Sequence, residues 1–283
     1  MRRIGIVAAA LCAILLLTAC GSQGTSKQTS GSHHGGEDDS THESGHGTGG
    51  GSTKEQLQIA YSFAGGSAIS GASTELSIQV AHSDGSPVEQ FETNHEKLLH
   101  LIVVNHDLSY FSHVHPEYKG DGAFTVETNF PYGGRYAVYA DFIPKGGSNS
   151  VLFDWVEVEG ESGPHAPIQA DSLLSRTVDG KDIELALSTY AAGEEAVLTY
   201  SFREARTDDP IRDLEPYLGA AGHVVILSED AEQYLHVHPI DESSSGPEAQ
   251  FATSFPKKGL YRIWGQFQHE GEVLTVPFTV EIN

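Results

Sequence analysis

Two short segments of this chain carry the same histidine pattern, "FSHVHPE" from Phe111 to Glu117 and "YLHVHPI" from Tyr234 to Ile240. A third histidine stands thirteen residues ahead of each pair, so His100, His113 and His115 match His223, His236 and His238. Eight residues further upstream stand Glu92 and Glu215. Neutral imidazole suits borderline divalent ions, with Zn–N bonds of about 2.0–2.1 Å, and it also binds copper(II). The His-x12-His-x-His set is therefore a candidate ligand set for zinc or copper(II). Glu92 and Glu215 could serve as accessory ligands or as acceptors for a ring N–H. Asp141 is a poorer candidate, because Gln266 stands at its place in the second copy.

Three imidazoles separated in this way meet only if the chain between them folds as a hairpin. "HLIVVN" and "HVVILS" read as outgoing strands, the HVHP segments as return strands, and "HDLS" and "EDAE" lie between them. Residues two apart on a strand share a face, and so does the residue directly across an antiparallel pair. A turn centred beside Asp107 places His100 opposite His113 or His115, with all three on one side. A turn near Asp230 does the same for His223, His236 and His238. A slip of one residue would send the first histidine to the other face.

The rest of the chain says what carries these hairpins. Apolar and polar residues alternate in "LQIAYSF", "TELSIQV", "AVLTYSF" and "FTVEI", and turns such as "SDG", "VDG" and "KGG" interrupt them. No long stretch has helical periodicity, so the class is all-β. The chain is also a duplication. "GASTELSIQV" lies over "GEEAVLTYSF", "PVEQFE" over "PIRDLE", and "FPYGGRYAVYADF" over "FPKKGLYRIWGQF", at an offset that stays between 122 and 125 residues. "GESGPHAPIQA" separates the copies. The expected organisation is two tandem immunoglobulin-like or cupredoxin-like β-sandwich domains, residues 55–160 and 170–283, joined by a linker at 161–169. Gly134 and Gly259 should enter strands at positive φ after the Phe-Pro pairs at 130 and 255. Trp155 and Trp264 read as core. His82, His95, His165 and His269 have no histidine at the matching position and read as surface.

Ahead of the sandwiches, residues 1–19 read as a bacterial lipoprotein signal peptide: "MRR", an apolar run from Ile4 to Leu17, and "LTAC" ending at Cys20. Cys20 is the candidate lipidation site. Residues 20–54 form a Gly-, His- and acid-rich tether expected to be disordered, whose His33, His34, His42 and His46 could capture metal loosely. Only two cysteines and one methionine occur, all in the first twenty residues, which excludes disulfides, thiolate ligands and thioether ligands in the folded part. With 39 acidic against 16 basic residues and a formal net charge of −23, nucleic acid is excluded as a partner.

"PIRDLEPYLGAAGHVVILSEDAEQYLHVHP" and "FPKKGLYRIWGQFQHEGEVLTVPFTV" resemble YtkA-like, immunoglobulin-type sandwich proteins that bacteria secrete or anchor by lipid. The resemblance covers nearly all of the second domain and the first more weakly, where "FETNHEKLLH" replaces "LEPYLGAAGH". It implies a β-sandwich fold, an extracytoplasmic place and association with metal. The methionine-bearing motifs of YtkA-like proteins are not matched.

Together these features lead to an expected function. The chain is a non-enzymatic, lipid-anchored metal-binding protein on the extracytoplasmic side of a bacterial membrane, buffering zinc or copper(II) or delivering it to a transporter or other envelope protein. The alternative is a metal-free β-sandwich interaction module of the cell envelope. A metal-dependent hydrolase is disfavoured, since no acid/base candidate recurs at matched positions.

Overall fold

The structure, a computed structural model, describes residues 56–283 other than His236, and of His238 the backbone alone. The expected signal peptide, Cys20, the tether and its His33, His34, His42 and His46 lie outside the described residues. Everything described is strand, turn or loop.

In the first repeat the strands are β1 (Leu57–Phe63), β2 (Ala68–Ile69), β3 (Ser73–His82), β4 (Phe91–Glu92) and β5 (Leu99–Asn105). They continue with β6 (Phe111–Val114), β7 (Glu117–Gly120), β8 (Ala123–Asn129), β9 (Gly134–Pro144) and β10 (Ser150–Glu159). One sheet has the order β1-β3-β8-β7; the other runs β2-β10-β9-β5-β6, with β4 added on β9. The second repeat holds β11 (Ser175–Val178), β12 (Lys181–Leu187), β13 (Glu195–Glu204), β14 (His223–Ser228) and β15 (Tyr234–Leu235). It ends with β16 (His238–Pro239), β17 (Glu248–Ser254), β18 (Gly259–His269) and β19 (Glu272–Ile282). Its sheets are β11-β12-β13-β17-β16 and β15-β14-β18-β19. The fold is two tandem immunoglobulin-like sandwiches, as the alternating segments imply.

Alternation explains the packing of each sandwich. β13 reads EAVLTYSFRE and buries every second residue, Ala196, Leu198, Tyr200 and Phe202, against Ile226, Phe267 and Phe278. The first repeat does the same with Ile78, Val80, Leu101, Phe124 and Phe142. Each repeat also has a tyrosine whose hydroxyl donates to a carbonyl four residues back, Tyr136 to Tyr132 and Tyr261 to Lys257, both at 2.9 Å. That return bond resembles the tyrosine corner of immunoglobulin-type sandwiches. Gly134 and Gly259 have φ of 127° and 136°, backbone that side-chain-bearing residues rarely adopt.

The two repeats are not beads on a string. β5 is buried at every position, and its alternate residues have different neighbours. Leu99, Leu101 and Val103 enter the core of their own sandwich. Ile102 and Val104 point the other way and join Tyr139, Val225, Leu227 and Trp264 in a third apolar cluster shared by both repeats. Fully burying side chains of this size is worth about 1.5–3 kcal/mol each, so this seam holds the sandwiches face to face. It obeys a local two-fold relation. Phe111 stacks on Trp264 with centroids 4.8 Å apart. At the positions matched by the duplication, Tyr234 packs on Tyr139 at 5.5 Å. A residue of copy one meets copy two just as its counterpart meets copy one, the isologous pattern of a symmetric dimer. Trp264 is thus core, but core of the seam. Trp155 is half-buried with the Arg135 guanidinium 4.6 Å from its ring centroid.

Candidate metal centre

β5 pairs with β6 through Leu101↔Val114 and Ile102↔His113. Continued by one step, this register sets His100 across from His115, with His113 beside them. All three imidazoles lie on the seam face, the same face as Ile102 and Val104. His100, His113 and His115 each offer a ligand atom, and these atoms lie within 4.8 Å of one another.

Hydrogen bonds fix the rings. His100 Nε2 lies 2.9 Å from the carbonyl oxygen of Asn94, an acceptor only, so Nε2 carries the proton and donates. His113 Nδ1 lies 2.7 Å from Gln266 Oε1, and the Gln266 amide nitrogen donates to Thr275 Oγ1 at 3.1 Å. With the amide in that orientation His113 donates from Nδ1. The inner nitrogens, His100 Nδ1 and His113 Nε2, then face each other at 3.0 Å as lone pairs. His115 buries an Nε2 with no hydrogen-bond partner.

Burial keeps these imidazoles neutral and so competent as ligands. It is the main cause that lowers His113 to about 3, with neighbouring His100 and His115 adding to it against the Gln266 hydrogen bond. Burial, then His100 and Lys97, lowers His115 to about 4. His100 is lowered chiefly by burial, against the bond to Asn94.

The second repeat contributes to this cluster and does not merely repeat it. His223 lies on the seam face of β14, in line with Val225 and Leu227, and its ring stacks on His100 with centroids 5.3 Å apart and planes 14° apart. It lies 4.7 Å from the ring of His113, and burial followed by the neighbouring histidines pushes it well below the usual imidazole value. His95 packs 5.8 Å from His223 and 6.3 Å from His100. It sits in a two-residue turn between Asn94 and Lys97, with φ of 44° at His95 and 66° at Glu96. The matching turn of the second repeat has Leu218 and Gly219 at 54° and 75°.

Several expectations need correction. The second hairpin has the matching register at Ile226↔Leu235 and Leu227↔Tyr234. Its return strand then leaves the sheet early, and His238 already pairs with Ala252 of β17 in the opposite sheet. The backbone therefore does not carry the first hairpin's face on to His238; His236 lies outside the described residues. Glu92 and Glu215 are engaged away from the cluster. Gly146 N donates to Glu92 Oε1 at 3.3 Å, and Gly271 N and Gln268 Nε2 donate to Glu215 Oε2 at 3.1 and 2.8 Å. Glu92 thus ties down the β9–β10 loop and Glu215 the tight β18–β19 turn, a duty that accounts for a carboxylate at this place in both copies. His269, expected at the surface, is buried with Nε2 3.2 Å from Asp213 Oδ1. His82 and His95 are half-buried, and His165 is exposed. Asp141 stands across from His100 on β9 but accepts from the Tyr234 hydroxyl at 3.3 Å, and burial pushes it up to about 6. Sequence reading missed the roles of His95, Asn94 and Gln266. Only Gln266 had a signal, as the polar residue opposite His223.

Two immunoglobulin-type sandwiches closed on each other around buried histidines define the class of protein. The chain belongs to the family described as a domain of unknown function (DUF8832), which matches it twice, at residues 54–160 and 176–283. No curated protein matches the chain. Among solved structures it is similar to the Escherichia coli adhesin FdeC, at 13% identity and a TM-score of 0.27, covering 82% of this chain and 65% of that one. It is also similar to invasin, a bacterial integrin-binding protein, at 13% identity and a TM-score of 0.24, covering 80% and 39%. Fibronectin(III)-like modules of Clostridium thermocellum CbhA match at 12% identity and a TM-score of 0.21, covering 79% and 93%. These likenesses concern the fold alone, and the chain spans less than two thirds of the FdeC and invasin chains.

Proposed function

We propose that this chain is a non-enzymatic metal-binding protein whose centre lies in the seam between its two sandwiches. His100 Nδ1, His113 Nε2 and His115 are the ligands of one zinc or copper(II) ion, and His223 closes the site from the second repeat. The observation that carries this is the 3.0 Å approach of His100 Nδ1 and His113 Nε2 while their outer nitrogens are held by Asn94 and Gln266. Two lone pairs at that distance repel, whereas bonds of about 2.0–2.1 Å to a shared ion place two ligand nitrogens close to it. Asn94 and Gln266 act as the outer partners that fix the tautomers of ligating histidines.

A second reading rests on the same atoms. With the Gln266 amide turned over, Thr275, Gln266, His113, His100 and Asn94 make one unbroken chain of hydrogen bonds, and the cluster becomes polar mortar in an interaction module. That network leaves His115 Nε2 buried and unsatisfied, which favours the ion. In this proposal the protein works outside the cytoplasm, held to a bacterial membrane through Cys20, as kinship with YtkA-like proteins would imply. It hands metal to a transporter or other envelope protein, and His33, His34, His42 and His46 gather ions loosely.

The test is elemental analysis of the chain carrying His33, His34, His42 and His46→Ser after zinc or copper(II) loading and gel filtration. One tightly held equivalent lost in His113→Ala and in His115→Ala supports the reading. Retention unchanged by both substitutions overturns it.

A further inference from the structure

A second group of metal-ligating side chains lies away from the seam, where the β5–β6 turn meets the segment between the repeats. Asp107 Oδ1 is saturated: Asn105 Nδ2 and Ser109 Oγ each donate to it at 2.6 Å and Ser109 N at 3.1 Å. Its Oδ2 is left for His165, whose Nδ1 lies 3.1 Å away. The ring of His165 stacks on His106, with centroids 5.1 Å apart and planes 11° apart. One ligand atom from each of the three lies within 4.8 Å of the others.

The approach of His165 is built. Gly133 N donates to Glu161 O at 2.8 Å, and Gly133 pairs with Ser162 in a parallel bridge. Gly163 then lies so close to the Tyr132 ring that a Cβ there would come within 2.6 Å of it, so only glycine lets the segment pass. The turn itself does not need the histidines. The second repeat keeps the aspartate at Asp230, fixed by Ser228 Oγ and Glu232 N, with Glu229 where the first has His106. His106 and His165 are additions to a turn that folds without them.

We propose that His106, Asp107 and His165 form a second, solvent-facing site for a divalent transition-metal ion. The N···O separation of 3.1 Å between His165 and Asp107 matches the spacing of two ligands on one ion with bonds of about 2.0–2.2 Å. The ion takes the place of the proton between them, and His106 supplies the third bond. A groove of about 240 Å³ lined by Tyr132, Tyr136 and Pro164 leaves room for water as the remaining ligands. Arg135, also at this groove, has its guanidinium over Trp155 and near Glu157, at 4.6 and 3.4 Å. Loading this site fastens the inter-repeat segment to the first sandwich.

The site stands apart from the seam cluster, and the test separates them. The full chain carrying His33, His34, His42 and His46→Ser together with His113→Ala is titrated with copper(II) and followed by electron paramagnetic resonance. One further equivalent with nitrogen hyperfine structure is expected, lost at least tenfold in affinity on adding His106→Ala and likewise on adding His165→Ala. Both side chains are exposed, so neither substitution threatens the fold. Copper(II) binding unchanged by either substitution, or carrying no nitrogen signature, overturns the proposal.

Discussion

Acid should undo the seam through histidines that the fold keeps neutral. Burial holds His113 unprotonated in the folded chain down to about 3, whereas an unfolded histidine titrates near 6.5. As pH falls, the unfolded state takes up the proton first. The contribution is therefore complete above about 6.5 and is lost as pH falls toward about 3. Between pH 7.5 and pH 5 the loss from His113 alone is about 2 kcal/mol, at 1.36 kcal/mol per unit below 6.5. For a chain of this size that is a fall in Tm of about 4–8 °C. His100 and His223 are lowered in the same direction and steepen it. The assay is thermal or urea unfolding in EDTA at both pH values, for the unaltered chain and for His113→Gln, which lacks the titrating group. The unaltered chain should lose about 2 kcal/mol more than the variant on this account. An equal loss in both would mean that His113 is not held neutral by the fold, and the description of the cluster would be wrong.

Other outcomes follow from the same geometry. Gln266→Leu removes the acceptor that fixes His113 and should weaken zinc or copper(II) binding about 10- to 100-fold in a chelator competition, with His100 and His115 intact. Glu92→Gln and Glu215→Gln should leave metal affinity unchanged and cost about 1 kcal/mol or less in urea melts, because these carboxylates serve only their own loops. Leu227→Ala opens a cavity in the seam and should cost about 2–5 kcal/mol in the same melts, with faster amide exchange along β14.

The parts of this fold that were legible in the sequence are those that a strand records locally. Period-two alternation in "AVLTYSF" or "FTVEI" follows from one face being buried, and a turn beside Asp107 puts His100, His113 and His115 on one face in either of the two registers it allows. The seam left a fainter mark. "HLIVVN" and "HVVILS" do not alternate, as expected of strands covered on both faces, yet an unbroken apolar run does not say what covers the second face. For that reason the sequence left open whether the two histidine sets stand apart or meet; in the structure His223 stacks on His100 across the repeats. Glu92 and Glu215 recur at matched spacing, and in the structure each accepts hydrogen bonds from its own repeat's loop, a duty that spacing cannot separate from ligation. His95 was hidden by its setting: a left-handed two-residue turn, with Leu218 at the matching place, gives no periodic signal.

The most direct measurement is anomalous scattering at the zinc edge from crystals of the zinc-loaded protein. A peak is expected in the seam within about 2.0–2.2 Å of His100 Nδ1 and His113 Nε2, with His115 as a further ligand. A map with zinc only at surface residues, and an ordinary hydrogen-bonded contact between His100 and His113, would contradict it.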